Sequence, residues 1–250
     1  MGVLDGKAAV VTGGSRGIGR GIVERLARDG ADVVFSYAAN AAAAAEVVQA
    51  VATRSGGGSA HALQADFADP AAVERFMGQA VERLGALDIL VNNVAAAILP
   101  ALLADTSDEL FTGVMTVNST ASFITLRYAA RHMRDGGRVV NISSLNTLLA
   151  SPAIAPYVAS KGAVEQLTRV AAIELGPRGI TVNTVSPGAT DTDLLRGANC
   201  AEDLKRLPEL TPLGRLGEPA DIADVVGFLA GPDARWVTGQ NILATGGLMG

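Results

Sequence analysis

A chain of 250 residues, 49% of them hydrophobic and 18% charged, carries enough apolar side chains to bury a large core. Its formal charge of −5 argues against the basic surface that nucleic acid or an anionic membrane requires. With Cys200 as the single cysteine, neither an internal disulfide nor a metal site is expected, and a reducing cytoplasm is the expected compartment. The first apolar run, AAVV from Ala8, is too short for a secretion signal or a membrane span.

Ala8 to Val11 reads as a buried strand, and TGGSRGIG from Thr12 to Gly19 leads directly into a helical pattern. Strand, glycine turn and helix in that order suit a dinucleotide. Gly13 permits the tight turn, Gly17 lets backbone approach a phosphate, and Gly19 allows close helix packing. The second strand, Asp32 to Tyr37, ends in Ser36, Tyr37, Ala38, Ala39 and Asn40, where an NAD site usually places a carboxylate for the ribose 2′-OH. Lacking that repulsion, and with Arg16 able to pair with a 2′-phosphate, the pattern favours NADP(H). Ser36 and Asn40 are neutral hydrogen-bonding candidates there, and Asn40 is equally a cap for the following alanine-rich helix.

SGGGS, Ser55 to Ser59, reads as a flexible loop, followed by a third strand from Ala60 to Ala65. Asp66 and Phe67 then fall over the cofactor crevice, and Asp69-Pro70 starts the next helix. A fourth strand, Leu87 to Val91, delivers Asn92, Asn93, Val94 and Ala95, whose amides either bridge strands or line the cofactor site. Asn118 interrupts an apolar helix pattern, so it either pins a distortion or holds a water beside Lys161.

Arg138 to Ile142 is a further strand, bringing Ser143 and Ser144 to its carboxyl end. Thirteen residues beyond Ser144 comes Tyr157, with Pro156 at a helix start and Lys161 four residues on, on the same helix face. An ammonium about 4 Å from the phenol favours phenolate by roughly 4 kcal/mol, or about 3 pKa units. Tyr157 is then expected to titrate near neutral pH and exchange a proton with a carbonyl or alcohol oxygen held by Ser144.

Gly162 to Gly176 continues the helix, and Ile180 to Ser186 is another buried strand. Pro187 and Gly188 turn at its carboxyl end toward Thr192. Asp193 to Pro219 has poor periodicity and is expected to be a substrate lid within one domain spanning 1–250. A helix from Asp221 to Ala230 and a last strand from Trp236 to Leu243 complete the chain. His61 and His132 lie away from any candidate nucleophile and read as structural.

Together, TGGSRGIG, NNVA, NISS, YVASK, VSPGATDT, GRLGEPADIA and VTGQNILATGG resemble the short-chain dehydrogenase/reductase family, of the subtype that includes 3-oxoacyl-carrier-protein reductases. The resemblance spans essentially the whole chain. It implies an α/β doubly wound Rossmann fold of about seven parallel strands with helices on both faces, and a homotetramer with the C-terminus, ending at Gly250, between subunits. It assigns catalysis to Ser144, Tyr157 and Lys161, with Asn118 completing a proton relay, and cofactor contacts to Gly13, Ser15, Arg16, Ile18, Ser36, Asp66, Asn92, Thr192 and Lys161. Val94 and Ala95 replace the family's Ala-Gly and alter the wall near the nicotinamide. Three residues separate Tyr157 from Lys161, whereas the related enoyl reductases have six, so carbonyl reduction is indicated.

The expected activity is an NADPH-dependent reductase of a mostly apolar ketone, with Leu145, Asn146, Ile154, Leu194 and Leu195 near the substrate. The ketone is either a thioester, with docking of a carrier protein, or a free molecule. Of the basic residues that serve such docking in the acyl reductases, Arg178 is matched, but Asp135 stands beside Arg134. A non-catalytic NADP(H)-binding regulator is the reading outside enzymology, and retention of Ser144, Tyr157 and Lys161 together speaks against it.

Overall fold

Along β1 (Ala8–Val11), Ala9 and Val11 face one side of a sheet and Val10 the other, the two-residue period of extended chain. The same division separates Val33 and Phe35 from Val34 in β2 (Asp32–Tyr37), and Ile89 and Val91 from Leu90 in β4 (Ile89–Asn92). Strands so apolar on both faces must be covered on both. The computed structural model describes residues 2–54 and 57–248; Ser55 and Gly56 of the expected loop, and Gly250, lie outside them.

With β3 (Ala60–Gln64), β5 (Arg138–Ile142), β6 (Thr181–Pro187) and β7 (Asn241–Ala244), the strands form one seven-stranded sheet in the order β3-β2-β1-β4-β5-β6-β7. Every pairing is parallel. The helices in chain order are α1 (Gly17–Arg28), α2 (Ala41–Ala52), α3 (Pro70–Leu84), α4 (Asp108–Met115) and α5 (Ala121–His132). Then come α6 (Ala155–Leu175), α7 (Asp193–Ala198), α8 (Ala201–Leu210) and α9 (Pro219–Ala230). Ile22 and Leu26 of α1, Val47 of α2 and Ile222 and Val226 of α9 cover one face; Phe76 and Met77 of α3, Ile124 of α5 and Leu175 of α6 cover the other. This is the doubly wound Rossmann fold. The strand order reverses at β1, which pairs with both β2 and β4, so a crevice opens beyond the carboxyl ends of β1 and β4.

Two stretches differ from the sequence pattern. Trp236 is 96% exposed and precedes the last strand, which begins only at Asn241, because Gly239 takes φ +71° and breaks the extended run. Between Asp193 and Pro219, where the sequence showed poor periodicity, two short helices stand. The first starts on Thr192, whose Oγ1 accepts from the Leu195 amide at 3.3 Å, a local cap that weak periodicity concealed.

Candidate active site

Ser144 lies two residues beyond β5, while Tyr157 and Lys161 occupy the first two turns of α6, started by Pro156. All three are buried: Ser144 and Tyr157 are 9% exposed and Lys161 is 3% exposed. Lys161 Nζ donates to the Ile142 carbonyl at 2.8 Å and lies 5.8 Å from the Tyr157 ring centre. One helix thus grips the strand end that carries Ser144.

The titration of these groups differs from the sequence expectation. Burial raises the Tyr157 phenol above its ordinary value, and the Ser144 hydroxyl bonded to it offsets only part of that rise. Lys161 is itself lowered to about 8, because burial penalises the ammonium. The expected acidification of Tyr157 is therefore corrected: desolvation dominates, and Lys161 Nζ is directed at the Ile142 carbonyl, 5.8 Å from the Tyr157 ring centre.

Asn118 sits in a π-helical segment, Thr116–Thr120, that joins α4 to α5, with the Ala121 amide reaching back to the Thr116 carbonyl. Its Oδ1 accepts from Ala96 N and its Nδ2 donates to Ser160 Oγ, both at 2.8 Å. Ser160 Oγ in turn donates to the Tyr157 carbonyl at 2.7 Å. Both polar ends of the Asn118 side chain are engaged by protein, an arrangement that pins the distortion and leaves one N–H and one lone pair of the amide over.

Across the sheet, the glycine loop sits at the mouth of β1. Gly13 takes φ +71°, and a Cβ on Gly19 would lie 1.9 Å from the Gly13 carbonyl oxygen, so the helix start presses directly on the loop. Arg16 caps α1 without a side-chain hydrogen bond, and no acidic residue occupies the first turn. Backbone N–H groups there are uncapped donors, a set that fits the pyrophosphate of a dinucleotide. The exposed Arg16 guanidinium lies 3.5 Å from the Asp193 carboxylate.

The family model described as enoyl-(acyl carrier protein) reductase matches residues 13–249. A short-chain dehydrogenase/reductase from Serratia marcescens is 42% identical, with TM-score 0.92 and 99% of each chain covered. The chain belongs to the short-chain dehydrogenase/reductase family. Versicolorin reductase of Emericella nidulans is 40% identical over 257 residues, covering 98% of this chain and 96% of the relative. An angucycline C-6 ketoreductase solved with bound NADP is 43% identical, with TM-score 0.92, covering 99% of this chain and 97% of that one.

Within this short-chain dehydrogenase/reductase the remaining candidate residues divide. Ser15, Arg16, Gly17, Ile18 and Tyr37 are open or half-buried around the crevice, with Asp66 exposed at the end of β3. Pro187 ends β6, and Gly188 and Thr192 follow it at the same edge. Four others are occupied internally. Ser36 is 1% exposed, and its Oγ accepts from Gly13 N at 2.8 Å, supporting the loop from beneath. Asn40 caps α2 through Ala43 N, Phe67 packs against Phe76, and Asn92 bonds Asn141 and Thr125 inside the sheet-helix layer. At the substrate end, Asn146, Ile154, Leu194 and Leu195 are half-buried, whereas Leu145 is 5% exposed and points inward.

Sequence reasoning passed over Thr12, whose hydroxyl accepts from the amides of Asn93 and Val94 at 2.9 and 3.1 Å. Asn93 completes the stitch by donating to the carbonyls of Thr12 and Gly13. The paired amides of Asn92-Asn93 were the available signal, and each turns out to bridge elements. Glu165 left no signal beyond a helix pattern, whereas Ser143 was placed at the strand end without a role.

Proposed function

We propose that this chain is an NADP(H)-dependent ketoreductase that reduces a cyclic ketone to a secondary alcohol, in the cytoplasm and as a homotetramer. The observation that carries this reading is the burial of Ser144, Tyr157 and Lys161 on two tied elements, beside a helix start with uncapped N–H groups. A bound nicotinamide cofactor supplies the hydride. Ser144 Oγ donates a hydrogen bond to the substrate carbonyl oxygen, and Tyr157 Oη gives that oxygen its proton as negative charge develops. Lys161 grips the strand end and brings its cation to the crevice, while Asn118 holds α6 in register through Ser160. Because burial raises the Tyr157 phenol, it stays protonated at neutral pH, the state a proton donor needs.

Arg16 and the carboxylate-free end of β2, Tyr37 to Asn40, support a cofactor with a 2′-phosphate. Asp193 to Pro219, with Leu194 and Leu195 half-buried on α7, is read as the substrate lid. A free ketone is favoured over a carrier-bound one, since Arg178 is spent on Asp135 at 2.8 Å and on the carbonyls that end α5, and Arg134 leans on Asp88. The names of the versicolorin and angucycline relatives support a ring ketone. Phe111, Phe123, Val170, Ile173 and Trp236 are exposed apolar side chains that subunit contacts would cover.

The test is NADPH consumption with 2-tetralone against an acetoacetyl thioester. Faster turnover of the thioester overturns the ring-ketone reading, tighter binding of NADH than of NADPH overturns the cofactor preference, and a monomer in sedimentation overturns the assembly.

A further inference from the structure

We infer that Glu165 is a positioning residue that holds Ser144 at its working distance from Tyr157; the inference rests on the proposed role of Ser144. Glu165 lies on α6 one turn beyond Lys161 and two beyond Tyr157, and is 8% exposed. Its Oε1 accepts from Ser143 Oγ and from Thr147 Oγ1, both at 2.7 Å. These two residues bracket Ser144: one precedes it, and the other ends the short 3-10 turn Leu145–Thr147 that it caps.

The Glu165 oxygen that faces the protein is held by two hydroxyls, and no ion pair involves Glu165 among the described residues, so its burial carries a desolvation cost. An apolar side chain would fill the same helix position more cheaply. What the carboxylate adds is a tie. Ser144 and Tyr157 are joined by the 3-10 turn and an irregular stretch, 148–154, in which Ala153 takes the left-handed φ of +63°. Chain running through such a stretch does not set a distance. The separation is set instead by α6, which reaches back to the end of β5 with two successive turns. Lys161 Nζ holds the Ile142 carbonyl, and Glu165 holds both flanks of Ser144. Ser143 Oγ, whose single proton goes to Glu165, lies 3.4 Å from the Lys161 carbonyl, over the same stretch of α6. Without the carboxylate, the Ser144 hydroxyl is free to shift against Tyr157, and a displacement of about 1 Å is enough to cost up to about 100-fold in rate.

A double-mutant cycle tests this, reading kcat for NADPH-dependent reduction of 2-tetralone. Glu165→Leu is expected to lower kcat about 10- to 100-fold with the NADPH dissociation constant unchanged. In a Ser144→Ala background the same change is expected to add little, because the group being positioned is already gone. Glu165→Gln keeps Oε1 as an acceptor for both hydroxyls and is expected to restore most of kcat. Independent, multiplying effects of Glu165→Leu and Ser144→Ala overturn the inference, as does an unchanged kcat in Glu165→Leu. If Glu165→Leu does not fold, Ser143→Ala and Thr147→Val enter the same cycle, each removing one donor, and independence again overturns it. An unchanged kcat in Ser144→Ala by itself overturns the role of Ser144 proposed above, a result distinct from failure of the tie.

Discussion

At the end of β5, side chains are tied to neighbouring elements by bonds of 2.7–2.8 Å: Ser143 and Thr147 to Glu165, Lys161 to Ile142, Asn118 to Ser160. Across the crevice, α7 and α8 contain no buried residue, and the ion pairs Arg196–Asp191 and Arg16–Asp193 that accompany them are solvent-exposed. The first region resembles a packed core that happens to be polar. The second is held by caps and surface charges worth about 1 kcal/mol or less each. Proton transfer needs atoms held to fractions of an ångström, whereas admitting a substrate needs a segment that opens cheaply, and in the function proposed above the two demands fall to different stretches of chain.

Tyr157→Phe should separate the two regions most sharply. It is expected to lower kcat about 100- to 10,000-fold while leaving the NADPH dissociation constant nearly unchanged, measured by fluorescence titration. Retention of turnover would place the proton donor elsewhere.

Lys161→Met is expected to remove most activity and yet raise Tm at pH 7. The folded-state pKa of about 8 lies below the ordinary 10.5, so the folded chain binds fewer protons than the unfolded one between those values. Stability of the parent therefore rises with pH across that window, and below about 8 the burial penalty is present in full. Replacement by Met abolishes that slope. A parent stability that falls from pH 8 to 10.5 would contradict the burial of a strained ammonium.

In the second region the effects should be smaller and of another kind. Leu194→Ala and Leu195→Ala are expected to raise KM for 2-tetralone about 3- to 10-fold with kcat and Tm little changed, as removal of one apolar contact implies. A fall in kcat with KM constant would put these leucines in the positioning apparatus instead.

The smallest effect concerns the boundary between the segment and α9. Asp221 accepts from Glu218 N at 2.7 Å and pairs with Arg215, which holds its carboxyl down at about 2. Because the pair is partly exposed, Asp221→Ala is expected to cost only about 1 kcal/mol, seen as a small drop in Tm at pH 7. That contribution is present above the ordinary carboxyl pKa and disappears as pH falls toward 2, so parent and variant should converge in acid.

Much of this was legible in the chain. The strand-glycine-helix order at Ala8–Gly19, the start of α3 on Asp69-Pro70 and the shared helix face of Tyr157 and Lys161 all follow from residues within a few positions of one another. Trp236 was less readable. An apolar run promised a strand, but Gly239 with its positive φ ends that promise, and the indole faces solvent.

The sequence by itself determined the strand–glycine turn–helix start and the shared helix face of Tyr157 and Lys161, because helix and strand periods and turn chemistry act over a few residues, and its resemblance to a family supplied the fold class. The tertiary structure alone decided the protonation of Tyr157 and the partners of Ser36, Asn92, Asn118 and Glu165. Those depend on burial and on atoms supplied from 18 to 49 residues away, such as Ser143 for Glu165 and Asn141 for Asn92. Depth and distant partners exist only once the sheet has closed around them.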